Sequence, residues 1–145
     1  MTTREIQEAI ASNMERWMKV EDASVASTGQ IIEKTRNPVV RLIMEIIQRD
    51  SLMHHRVQEF IKDSLEKGTI SISPDELADV WDMVENHIQI EERTIAAAAA
   101  ALEAIKDKKM VVQEYLLHYL LTDEKKHVEL LKSLSTIKKG MYPYG

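Results

Sequence analysis

The chain has 145 residues, room for one helical core, with 44% hydrophobic and 30% charged residues and a formal net charge of −5. Acidic and basic residues are interspersed, which leaves no basic face for nucleic acid, and the absence of cysteine excludes disulfides, zinc knuckles, iron–sulfur clusters and thiol chemistry. The first ten residues, MTTREIQEAI, lack an apolar signal core, and no stretch approaches the roughly 20 apolar residues that span a bilayer. A cytoplasmic protein without membrane partners is the expectation.

Few breakers and much Ala, Leu, Glu, Lys and Met favour long helices over a sheet. Thr2-Thr3-Arg4-Glu5 resembles a capping box, and a helical period follows through Ile6, Ile10, Met14, Trp17, Glu21, Ser24, Thr28 and Ile31. Asn37-Pro38 reads as an N-cap and first-turn proline for a second helix, whose stripe is Val40, Ile43, Ile47, Asp50, His54, Val57 and Ile61. Residues 68–73 alternate like a strand but are too few to be more than a connector. Ser73-Pro74-Asp75-Glu76 is the clearest helix start, followed by Leu77, Trp81, Val84, Ile88, Glu91, Ile95, Ala98, Leu102 and Ile105. Asp107 is placed to cap a fourth helix carrying Leu117, Leu120, Glu124, His127, Leu131 and Leu134. The expected fold is therefore all-α, a single four-helix bundle over 1–145. Its helices are predicted at about 3–36, 38–67, 74–106 and 108–137, with a frayed tail at 138–145.

Each apolar stripe is interrupted near its middle by an acid: Glu21, Asp50, Glu91 and Glu124. His54 follows Asp50 by four residues and His127 follows Glu124 by three, spacings that put each pair on one helix face. Measured from turns near Asn37 and Asp107, all six groups fall at one level, about 24 Å from the turns by helical rise. Four carboxylates in a core are costly to desolvate and repel one another, so protons or cations must neutralise them. Two divalent ions would do so, with neutral imidazoles completing the shells; such ligands suit iron, manganese or zinc. His87, four residues before Glu91, is an accessory candidate. A competing 64-residue repeat pairs Trp17 with Trp81 and Asp50/His54 with Glu114/His118. It separates Glu85 from Glu114 by about 20 Å in height and fails as one site.

A glutamate on each of two helices, with Glu-x-x-His on each of the others, is the pattern of the ferritin-like di-iron carboxylate superfamily. This chain resembles its rubrerythrin-type and bacterioferritin-type members over about residues 3–137. Glu91 with Glu124-Lys125-Lys126-His127 matches one half of the pattern, and Glu21 matches the lone glutamate of the other. In the second helix Asp50-Ser51-Leu52-Met53-His54 departs from it. The link over 67–73 is also shorter than the long crossover such bundles use, which leaves helix order open among an up-down-up-down bundle, shorter helices, or hairpins exchanged between subunits. The resemblance implies two bound metal ions, iron foremost, and a reaction with dioxygen or hydrogen peroxide: Fe(II) oxidation or peroxide reduction. Without rubredoxin-like cysteine pairs, a peroxidase would draw electrons from another protein or from added iron. A homodimer is expected. The alternatives are a non-catalytic helical interaction or scaffold protein with structural buried acids, and a metal-binding sensor. Trp17 and Trp81 are expected in the core, and His55 and His118 at the surface.

Overall fold

In the structure, a computed structural model that describes residues 1–68 and 70–141, four α-helices follow one another: α1 (Thr3–Lys34), α2 (Pro38–Glu66), α3 (Pro74–Ala104) and α4 (Val111–Met141). No strand occurs among the described residues, so residues 70–73 of the alternating stretch are connector, as expected, while residue 69 lies outside the described residues. None of the described helices is long and apolar enough to cross a membrane.

Three helix starts follow from local chemistry. Thr2 Oγ1 accepts from the Glu5 N–H at 3.2 Å while the Thr2 N–H donates to Glu5 Oε2 at 2.6 Å. The bond from the Thr2 backbone, helped by its side chain, holds the Glu5 carboxyl below its ordinary range. Asn37 Oδ1 accepts from the N–H groups of Val39 and Val40, with Pro38 preset for the first turn. Ser73 and Glu76 form a second reciprocal box, both bonds 3.0 Å. Ser73→Ala removes the acceptor for one orphan amide and should cost about 1 kcal/mol, read as a lower urea midpoint with an unchanged slope.

The fourth helix departs from expectation at both ends. Asp107 does not cap it: its φ of +63° is left-handed, and the Lys108 N–H donates to the Ile105 carbonyl to close a tight turn. The helix starts three residues late, at Val111, with the Met110 carbonyl accepting from Glu114. It also continues through Met141, over residues predicted to fray from 138; the last part of that tail, 142–145, lies outside the described residues.

The chain divides into two compact units, Met1–Ile70 and Ser71–Gly145. The first is an antiparallel hairpin of α1 on α2, the second of α3 on α4. Within the first, Met14, Glu21 and Thr28 recur every seven residues on the buried line of α1, and Ser51 and Gln58 are buried on α2. A seven-residue recurrence is the narrow seam of two helices in coiled-coil contact. The second repeats the arrangement on α3 with Leu77, Ile88, Glu91 and Ala98. Much of the broader apolar stripe lies outside these seams. Ile6, Ile10, Trp17, Ile47, Val57, Ile61 and Leu120 are all exposed, so Trp17 is no core anchor. Trp81 is half-buried, its indole N–H donating to Glu85 at 2.9 Å.

Candidate metal centre

The second hairpin gathers Glu91 of α3 with Glu124 and His127 of α4. Glu91 sits on the seam and is only 9% exposed, while Glu124 and His127, three apart, project from the facing helix. His127 Nδ1 lies 3.5 Å from Glu91 Oε1 and 3.6 Å from Glu124 Oε2. One ligand atom from each of the three falls within 4.8 Å of the others. Atoms bound about 2.1 Å from one ion stand roughly 3–4 Å apart, so these side chains need shift little to share a cation. His87, one turn before Glu91, brings Nε2 within 3.0 Å of Glu91 Oε1 from an exposed position. It is a further imidazole beside the cluster.

Electrostatics set the two carboxyls apart. A hydrogen bond between them, one proton shared, lowers Glu91 below its ordinary range and raises Glu124 above it. Burial raises both; His87 and the charge of His127 favour ionised Glu91, while the Thr94 hydroxyl and His127 partly offset the rise at Glu124. Glu91 is thus the first of the pair to ionise as pH rises, and Glu124 holds its proton to higher pH than an ordinary glutamate. Glu91 Oε2 is buried and has no hydrogen-bond partner. A buried acceptor left unmade is costly, and an ion at this position would satisfy it. Oxygen and imidazole donors with no thiolate fit iron, manganese or zinc.

Two residues that the sequence reading passed over orient the ligands. Thr94 Oγ1 bonds to the Glu91 carbonyl at 2.7 Å and to Glu124 Oε2 at 3.1 Å, tying α3 to the carboxylate of α4. Asp123 Oδ2 lies 3.3 Å from His127 Nε2, the far side of the ring from Glu91 and Glu124, as a carboxylate does behind a metal-binding histidine. The signals were present: a hydroxyl three residues after each seam glutamate (Ser24, Thr94) and an aspartate four before each histidine (Asp50, Asp123). Thr94→Val should weaken metal binding about 10-fold through loss of ligand orientation, with Thr94→Ser restoring it, as read by competition with a chromogenic chelator.

The first hairpin brings together fewer of the predicted residues. His54 Nδ1 lies 3.4 Å from Glu21 Oε1, and Gln58 Nε2 donates to that same oxygen at 3.3 Å. Asp50 is exposed, and Ser51 is the buried residue beside it, 2.8 Å from the Ser24 hydroxyl. His55, expected at the surface, is half-buried, with Nδ1 2.8 Å from Asp22 Oδ1; His118 is exposed. No protein-family model matches the chain, nor does any curated protein or solved structure.

Proposed function

We propose that this chain is a ferritin-like metal protein that oxidises Fe(II), or reduces peroxide or dioxygen, at a carboxylate–histidine centre founded on Glu91, Glu124 and His127. The buried, unpartnered Oε2 of Glu91 beside two further ligand types carries the reading. Iron bound there would supply the electron-transfer chemistry. The protein's own groups do the rest: Glu91 and Glu124 neutralise the cation, Thr94 and Asp123 hold the ligands in orientation, and Glu124, raised beside Glu91, releases its proton as the ion enters at any pH below that raised value. The ferritin-like four-helix arrangement and the oxidant substrate belong to this proposal, as does an electron-donor protein if peroxide is the substrate.

The test is elemental analysis of protein purified without a metal-affinity tag, then anaerobic Fe(II) loading and addition of oxygen or peroxide. Bound iron and Fe(III) formation faster than in Glu91→Ala support the proposal. Protein that stays folded, binds no metal and gains no stability from Fe(II) or Mn(II) refutes it.

A second reading, an interaction protein built of helices, draws on the exposed Trp17, Val57, Phe60, Leu120 and Leu130. Exposed apolar side chains in such number favour burial against another helical surface, and a second copy is the partner at hand. Light scattering should then give a mass near twice 16.7 kDa; a monomer would remove the support for this reading.

A further inference from the structure

The two hairpins are built on one register. The contact of Glu21 with His54 (3.4 Å) recurs as Glu91 with His127 (3.5 Å), and that of Ser24 with Ser51 (2.8 Å) recurs as Thr94 with Glu124 (3.1 Å). Both recurrences move 70 residues along the first helix of the pair and 73 along the second (Glu21 to Glu91 and Ser24 to Thr94; Ser51 to Glu124 and His54 to His127). By the same shifts, Asp50 takes the place of Asp123, Gln58 that of Leu131, and Trp17 that of His87.

These replacements all point one way. Where the second hairpin offers two carboxylates and a histidine, the first offers one carboxylate, Glu21, and a histidine whose side chain is 59% exposed against 38% for His127. The second carboxylate is a serine, and its hydroxyl is engaged by Ser24. The accessory histidine is a tryptophan. The buried acid also has an amide donor that its counterpart lacks: Gln58 Nε2 donates to Glu21 Oε1, and a leucine stands at that place in the second hairpin. The buried oxygen left without a partner is the neutral amide Oε1 of Gln58 in the first hairpin and the carboxylate Oε2 of Glu91 in the second. An amide donor supplies to Glu21 part of the compensation that a cation would supply to Glu91. A cation offered to the first hairpin would meet one negative charge and displace an existing hydrogen bond.

We propose that the first hairpin is a metal-free copy of the second, so that each chain binds one divalent ion, at Glu91, Glu124 and His127, and none at Glu21, with Ser51 and Gln58 as the residues that set this stoichiometry. The proposal rests on the metal-centre reading above, and it replaces the two ions per chain expected from sequence.

Mn(II) titration of the whole untagged protein, with free Mn(II) followed by its EPR signal, tests it. The wild type should take up one ion tightly. Glu21→Gln should keep that ion with affinity within 2-fold, Glu91→Gln should lose it, and the double variant Ser51→Glu/Gln58→Leu should take up two. Two tight ions in the wild type, loss of the ion in Glu21→Gln, or a folded double variant that still takes one would each overturn the inference while leaving a metal-binding protein. No tight ion in the wild type would overturn the metal-centre reading and this inference together. If the double variant does not fold, as judged by circular dichroism, Glu21→Gln against Glu91→Gln decides.

Discussion

Glu91→Gln is expected to weaken divalent-metal binding by at least about 100-fold and to abolish the stabilisation that metal confers. The substitution keeps the size of the side chain and removes its charge, so the seam of the second hairpin stays filled while the ion loses its most buried ligand. In wild-type protein, Mn(II) at 100 times its Kd should stabilise the fold by roughly 2.7 kcal/mol, and the melting temperature should rise with metal concentration. The variant should melt at one temperature with and without Mn(II). Its Glu124 loses the carboxylate that raises it, so that carboxyl should titrate closer to its ordinary range, readable by carbon-13 NMR of the side chain.

The second large effect is on pH. Glu124 is raised in the folded protein because it shares a proton with Glu91, and a metal ligand must be deprotonated. Below the raised value each bound ion must displace that proton, so affinity should fall about 10-fold per pH unit as pH drops. Calorimetry in buffers of different ionisation enthalpy should detect the released proton. The signs for metal-free stability are opposite for the two acids. Glu124, raised, contributes stability that is full below its unfolded value and lost as pH rises through its folded value. Glu91, lowered, contributes stability present above its unfolded value and lost as pH falls through its folded one. Above the raised Glu124 value both acids are ionised and repel, so removing metal should destabilise the protein more there than at mildly acidic pH. In Glu124→Gln the proton release should vanish.

Helix type and most boundaries were legible in the sequence because the signals are local. Asn37-Pro38 and Ser73-Pro74 act through hydrogen bonds and a fixed φ within one turn, and α2 and α3 start where those residues say. The start of α4 was not legible: an aspartate suits both an N-cap and a left-handed turn position, and the fold uses the second. The seam was displaced for a different reason. Hydropathy follows the wide apolar stripe of a helix, whereas two helices in contact bury only a narrow seam recurring every seven residues. On α1 and α3 stripe and seam coincide at Glu21 and Glu91. On α2 they differ by one residue: the stripe runs through exposed Asp50, whereas the seam buries Ser51. Buried Gln58 carries no apolar signal, and its place beside Glu21 depends on a distance between helices that the sequence of one helix does not show.

Proton NMR of the five histidine rings during Zn(II) titration tests the metal centre most directly, because each ring reports its own surroundings. The account predicts that the His127 resonances move first and saturate at one equivalent, with His87 following, while His54, His55 and His118 hold still through that equivalent. Histidine signals that all drift together without saturation, or a His127 signal unmoved at millimolar Zn(II), would contradict it.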